Sequence, residues 1–515
     1  MLSRDKLQKK TKDELIDFIF ELSDAFQKKV AALEKTIEAL SEQIKLLKHN
    51  RFGASSEKQA DVPQDYFFDE AEMPANQSDI EADEEEITIP AHTRKKRGKK
   101  RLSADLPRKE IIYDLPEEEK QCACGRKLTC IGSEITEQLD IIPAKAYVIQ
   151  HVCKKYACQH CKDTIKTAKK QKQPIPKGIA APGLLANVLT SKFQFHLPLY
   201  RQEQQLKAIG ADIPRNTLSL WVIKCSVLLQ PLVNLLQDEI LSYDLAYADE
   251  STLQVLKEKG KAIQSKSYIW VFAGGAPGKF SYLYQYHPNR KHHIAVDFFQ
   301  GFNGYLHCDG YQAYDNLSAI NKGVKQVACW YHARRKFFEA AKVSKKAGMA
   351  DWFLKQIQRL AKLEKAIAAH ALQPEEIYTY RKERAPLILD KIKVKLDEFQ
   401  NKVPPQGLLG KAIHYTLNQW PKLQTYLEDG RLEISNNRME RAIKPFAVGR
   451  KNWLFSNSVA GAHAAANIFS LIETCKAHQV DPYTWLRETL TRIPTCETVE
   501  QFEALMPFNF KKQTL

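Results

Sequence analysis

The chain has 515 residues, of which 44% are apolar, enough for several domains and at least one large core, and it is too apolar for a wholly disordered protein. Its net charge is +16, and because residues 61–86 carry eleven acids and no base, the rest of the chain holds about +27. A surplus of that size points to a polyanion partner, nucleic acid first.

Nothing in the opening residues reads as a secretory leader. The longest uncharged run, Asn452 to Ile472, is broken by Asn, Ser, His and Gly, as in a buried helix rather than a membrane span. The expectation is a cytoplasmic protein with no membrane partner. Eleven cysteines in a reducing compartment then suggest metal binding more than disulfides.

Residues 1–56 carry the first pattern. Ile16, Ile19, Ser23, Phe26, Val30, Leu33, Ile37, Leu40, Ile44 and Leu47 alternate spacings of three and four. Mostly β-branched first positions and Leu at later fourth positions favour a parallel two-stranded coiled coil, hence a homodimer or higher oligomer. A single amphipathic helix docked on its own domain is the alternative. Residues 57–110 read as a charged linker, the acidic block followed by RKKRGKKR (Arg94 to Arg101).

Residues 111–175 contain two close cysteine pairs, Cys122 with Cys124 and Cys158 with Cys161. Four thiolates in two short turns can close a tetrahedral zinc shell, and four protein ligands make such a site structural. The stretch KAYVIQHVCKKYAC between the pairs has strand composition. Residues 176–240 read as helices. LYRQEQQLKAIGADIPRNTLSLWVIK has helix-turn-helix spacing around Gly210, with Arg215, Asn216 and Ser219 near the start of the second helix, where base edges are read. Any αα-hairpin shares that spacing.

From residue 241 the composition becomes β-rich. LAYADESTLQVL, SYIWVFAGG and FSYLYQYH read as three strands, and NRKHHIAVDFFQGF as a helix. GYLHCDGY reads as a fourth strand, and KQVACWYHARRKFFEAAK as a strand running into a helix. This is the order of a multidomain α/β protein with a ribonuclease-H-like core. Its first part covers 241–340, a helical insertion 341–430, and its second part 431–515. Metal-binding acids in such a core occupy the first strand, the end of the fourth strand and a later helix. Those places hold Asp249 or Glu250, Asp309 and Glu440. Since neighbours on a strand face opposite sides, only one of Asp249 and Glu250 is expected at the site. Three carboxylates can hold two Mg²⁺ ions for phosphodiester chemistry. Glu440 is the lone acid among Arg438, Arg441, Lys444, Arg450 and Lys451. With Asn437 three residues before it, it also fits a helix capping box.

These segments carry a resemblance. RFGASSEK (51–58), the cysteine pairs with KYACQHC, ADES (248–251), CDGYQAY (308–314), CWYHARRKF (329–337), NNRMERAIKPFAVGRKNWLF (436–455) and the closing LMPFNF resemble the insertion-sequence-66 family of bacterial DDE transposases. Two departures stand out: Ser251 where the family usually has Thr, and CxC where the first pair is often CxxC. The resemblance implies cleavage at insertion-sequence ends and joining of the freed 3′-OH to target DNA. Asp249, Asp309 and Glu440 would hold magnesium, and small accessory proteins of the same element would be further partners. His332, Arg334, Arg335, Arg441, Arg450 and Lys451 are the candidate phosphate contacts. The rival readings are a structure-specific nuclease of the same fold and a zinc-containing DNA-binding regulator without catalysis.

Overall fold

The computed structural model describes residues 11–52, 145–157, 165–343 and 348–510. The expected zinc ligands Cys122, Cys124, Cys158 and Cys161, and all of the charged linker (57–110), lie outside the described residues. Lys145 to Val148, the described residues of a separate unit (64–148), carry no regular element.

The first helix, α1 (Lys12–Phe52), runs for 41 residues. A hairpin of β1 (Lys155–Ala157) and β2 (Ile165–Thr167) follows, paired Lys155↔Thr167. The strand expected over KAYVIQHVCKKYAC is confined to its last residues. Tyr147, Val148 and Val152 are exposed, so they have no apolar layer to pack on.

Four helices come next: α2 (Pro182–Phe193), α3 (Leu199–Ala208), α4 (Arg215–Leu228) and α5 (Gln230–Leu241). The turn between α3 and α4 carries Gly210 at φ +87°, a conformation open to glycine at little cost. Among the described residues no single helix is long and apolar enough to cross a membrane.

The central sheet has the order β5-β4-β3-β6-β7, formed by β3 (Leu245–Lys257), β4 (Lys266–Gly274), β5 (Ser281–His287), β6 (Gly304–Cys308) and β7 (Val324–Ala328). β3, β4 and β5 are antiparallel neighbours, whereas β6 and β7 run parallel to β3. β4 is a near-continuous apolar run, as expected of an interior strand covered on both faces. Gly304 opens β6 so close to β3 that a Cβ there would lie 2.1 Å from the Asp244 carbonyl oxygen.

β3 outruns β6. Its parallel pairing with β6 covers Leu245 to Tyr247, and the same edge is met again only at Val255 and Lys257, by β8 (Ser456–Ser458). β4 pairs the opposite edge throughout, but among the described residues no strand pairs this edge over the stretch between. That open stretch contains Asp249, Glu250 and Ser251.

Helices α6 (His293–Phe298) and α7 (Gln312–Ile320) flank β6, and α8 (Trp330–Val343) continues from β7. The helix expected over NRKHHIAVDFFQGF contracts to α6. The insertion then supplies α9 (Met349–Ala369), α10 (Pro374–Arg384), α11 (Pro386–Phe399), α12 (Leu408–Asn418) and α13 (Trp420–Gln424). Buried Arg381 ties it together, bonding Glu364 at 2.6 and 2.9 Å and the Leu432 carbonyl at 2.8 Å. The chain returns to the sheet where Trp330 N donates to Ile434 O (3.1 Å) and Asn436 N to Cys329 Sγ (3.2 Å). These bonds set the entry of α14 (Asn437–Trp453), which carries Glu440.

The Ala-rich α15 (Val459–Ala477) closes the far side, followed by α16 (Pro482–Arg492) and α17 (Val499–Glu503). Ser470 and Thr474 on α15 accept the backbone N–H groups of Tyr284 and Tyr282 at 2.8 and 3.0 Å. A helix thereby covers the outer edge of β5, where unpaired donors would invite another strand.

Candidate active site

Two residues past the last β3–β6 pair, the register sets Asp249 opposite Asp309. Tyr247 and His307, two residues earlier on the same face, stack at 4.8 Å, so the two aspartates continue a column already in contact. One oxygen from each of Asp249, Glu250 and Asp309 lies within 4.8 Å of the other two.

The strict alternation read from the sequence is therefore wrong here, because Glu250 also reaches the cluster. The edge of β3 is open at this point and Asp309 stands beyond the end of β6. Side chains from both faces can reach one place around that edge.

Local bonds hold the acids. Asp249 Oδ1 accepts the Glu250 N–H at 2.8 Å, and Asp309 Oδ1 accepts the Tyr311 N–H at 3.0 Å. Glu250 Oε2 accepts the Tyr314 hydroxyl at 2.9 Å, and Arg290 contacts Glu250 Oε1. Burial, together with the Glu250, Asp309 and Glu440 carboxylates, pushes the Asp249 carboxyl well above its ordinary range. Burial and Asp309 also raise Glu250, against the pull of Arg290 and Tyr314. Packed oxygen donors of one charge are what a hard divalent cation such as magnesium requires.

Glu440 enters from α14. The helix N-cap is Asn436, one residue earlier than the capping box needs, and its side chain makes no capping bond. Glu440 instead approaches His332 Nε2 at 3.5 Å. Burial lowers the His332 pKa, while the Glu440 and Asp309 carboxylates pull it upward. The capping reading fails because the chain enters α14 through the bonds to Cys329 and Trp330, at the junction of β7 and α8, and the N-cap falls at Asn436.

The expected DNA contacts fall into separate groups. Arg215 and Asn216 are exposed at the start of α4, with the Arg215 N–H fixed by Glu203 at 3.0 Å. On α8, His332 turns inward to Glu440, Arg334 lies over Phe338 and Arg335 is exposed. Arg441 and Lys451 are exposed on α14. Arg450 turns back to the open stretch of β3, meeting Thr252 Oγ1 at 2.9 Å and Ser251 Oγ at 3.3 Å. Its contacts brace the strand beside the acids.

Sequence reasoning missed Arg290, Tyr311 and Tyr314. Arg290 sits in the basic run NRKHH, where composition does not single out one cation. The tyrosines stand two and five residues after Asp309, inside a segment already assigned to it.

Comparison with known proteins adds an independent finding. The profile described as "Transposase IS66 family" matches residues 177–464, and "IS66 C-terminal element" matches 470–508. "Transposase C of IS166 homeodomain" matches 39–111 and "zinc-finger binding domain of transposase IS66" matches 119–162. Uncharacterized protein y4jD of Sinorhizobium fredii is 31% identical over 423 residues, covering 80% of this chain and 81% of that protein. Uncharacterized protein y4qI of the same organism is 30% identical over 510 residues, covering 95% and 92%.

Proposed function

Because the chain belongs to the IS66 family of transposases, we propose that it cleaves the ends of its insertion sequence and joins the freed 3′-OH to target DNA. The observation that carries this reading is the meeting of Asp249 and Asp309 at the open edge of β3; Glu440 on α14 stands outside that group, beside His332 of α8, and its charge acts on Asp249. The strand order, three antiparallel strands followed by two parallel ones, supports a ribonuclease-H-like core.

In this reading Asp249, Asp309 and Glu440 hold magnesium. The bound ions would lower the pKa of the attacking water or 3′-OH and stabilise the leaving oxygen. The protein's own part is positional. The backbone N–H groups of Glu250 and Tyr311 fix one oxygen of each aspartate and do not use the other. His332, kept neutral by its burial, orients Glu440 through Nε2. Exposed Arg335, Arg441 and Lys451 would draw the DNA backbone to the cluster, and Arg215 and Asn216 would meet DNA at the start of α4. Cys122, Cys124, Cys158 and Cys161 would hold one structural zinc, which metal analysis of the purified protein tests.

The experiment is incubation with Mg²⁺ and DNA carrying the element's own ends, scored for both nicking and joining. Nicking without joining would make the protein a nuclease of the same fold, and binding without nicking would make it a regulator.

A further inference from the structure

The loop between β5 and α6 brings a cation against the acid cluster. Arg290 Nε and Nη2 both meet Glu250 Oε1, and the Tyr314 hydroxyl occupies Oε2. Both oxygens of Glu250 are thus engaged within the protein, and its side chain is only 1% exposed. Tyr311 braces the same assembly. Its ring centroid lies 3.6 Å from the guanidinium carbon, and its hydroxyl donates to the Arg290 carbonyl at 2.6 Å. The Tyr311 N–H fixes Asp309, and Arg290 Nη2 stands 3.9 Å from Asp309 Oδ2. The contacts with Glu250 do not use Nη1, and the arginine side chain is 34% exposed.

A carboxylate buried beside other carboxylates is an expensive way to stabilise a fold, since an apolar residue of similar size would generally do as well. What the Glu250–Arg290 pair gives instead is a guanidinium of fixed orientation. It is stacked on a ring and held along its Nε–Nη2 edge beside Asp309, with Nη1 outside those contacts and the side chain partly exposed. That presentation suits a tetrahedral oxyanion, because a guanidinium offers planar, directed donors where a lysine offers a mobile point charge.

We propose, building on the two-metal reading above, that Arg290 is a catalytic residue that binds a non-bridging oxygen of the scissile phosphate through Nη1. Glu250 anchors Arg290 and is not a metal ligand. The pair explains why an acid adjoins Asp249 on β3: Asp249 would hold a metal ion, and Glu250 holds the guanidinium of Arg290.

The test combines Mn²⁺ binding by calorimetry with single-turnover cleavage of a duplex carrying the element's end. Asp249→Asn should lose Mn²⁺ binding. Glu250→Gln and Arg290→Met should keep it, with cleavage slowed about 100-fold in Arg290→Met, the usual effect of removing one donor to a developing oxyanion. Arg290→Lys should recover part of that loss, and Glu250→Gln should slow cleavage less than Arg290→Met does. The double variant Arg290→Met/Glu250→Gln removes both charges together and guards against misfolding around an unpaired buried acid; it too should bind Mn²⁺ and cleave slowly. Loss of Mn²⁺ binding in Glu250→Gln, to the extent seen in Asp249→Asn, would overturn the anchor role. Wild-type cleavage by the double variant while Asp249→Asn is inactive would overturn the role of Arg290 alone. Normal Mn²⁺ binding and cleavage by Asp249→Asn would overturn the two-metal reading and this inference with it.

Discussion

The open edge of β3 gathers carboxylates into the fold, whereas α1 holds a row of apolar side chains out in solvent. Leu33 is 61% exposed and Ile37 65%, and Phe26, Leu40, Ile44 and Leu47 are exposed with them. The helix docks through its other side: Ala39 is buried, and Glu42 Oε2 accepts the Leu408 N–H at 2.9 Å. Both regions invert the usual placement of residue types, and they differ in how the inversion is supported. Each acid at β3 has a directed local partner, a backbone N–H, a tyrosine hydroxyl or a guanidinium. An apolar stripe has no such short-range remedy, because burial needs a large complementary surface. Charge inside the fold therefore marks a site for something small and cationic. An apolar row outside it is a surface that a coiled-coil partner such as a second copy of α1 would cover.

The largest expected effect breaks the acid side of this comparison. Asp249→Asn, Asp309→Asn and Glu440→Gln should each still bind end DNA while losing about 10³-fold or more in cleavage, because each would remove a metal ligand. Gel-shift and nicking assays on the same preparation check it. If Glu440→Gln nicks DNA normally with Mg²⁺, the third ligand lies elsewhere.

The apolar side breaks at the next level. Leu33→Asp with Leu40→Asp puts charges into two positions of the exposed stripe, and the protein should then sediment as a smaller species. The docked face, Ala39 and Glu42, is untouched, so the fold of one chain should persist. An unchanged sedimentation coefficient would return α1 to the role of a docked amphipathic helix.

A smaller effect separates crowding from catalysis. Burial and three neighbouring carboxylates raise the Asp249 carboxyl, so its ionised form weighs against folding near neutral pH. In EDTA at pH 8, Asp249→Asn should therefore melt higher than the wild type. A lower melting point would mean that Asp249 supports the fold through its bonds more than it strains it.

Much of this was legible in the chain. The strands of the sheet, the helical character of the insertion and the exposed stripe of α1 follow from periodicity and β-rich composition. Asp309 could be placed because CDGY ends a short strand. What could not be read were relations between distant segments. The Trp330 and Asn436 bonds that bring α14 back to β7 join residues about a hundred positions apart. The N-cap is Asn436 rather than Asn437, and Glu440 lies beside His332. Arg290 was hidden for a related reason, since its meaning comes from Glu250 forty residues earlier and Tyr311 twenty-one later.

The mildest prediction sharpens the comparison with a buried group that belongs to neither region. His287 ends β5, where burial, then His463 on α15 and His293 on α6, lowers its pKa from 6.5 to about 4. Asp297 on α6 pulls the other way, and Gln285 Oε1 lies 3.4 Å from its Nε2. The folded state thus holds a neutral ring that the unfolded chain would protonate below pH 6.5. With the folded pKa lowered, the stability contributed by His287 is fully present above pH 6.5 and is lost as the pH falls toward 4. His287→Gln keeps a polar side chain that cannot take up a proton. The difference in stability between wild type and variant should change by on the order of 2 kcal/mol between pH 6.5 and 4, with the variant gaining on the wild type as acid is added. Urea unfolding at several pH values in EDTA measures that difference while common carboxylate effects cancel. A constant difference across the window would mean that the ring takes up its proton at the same pH in the fold as in the unfolded chain, with Asp297 and Gln285 offsetting burial and the two histidines.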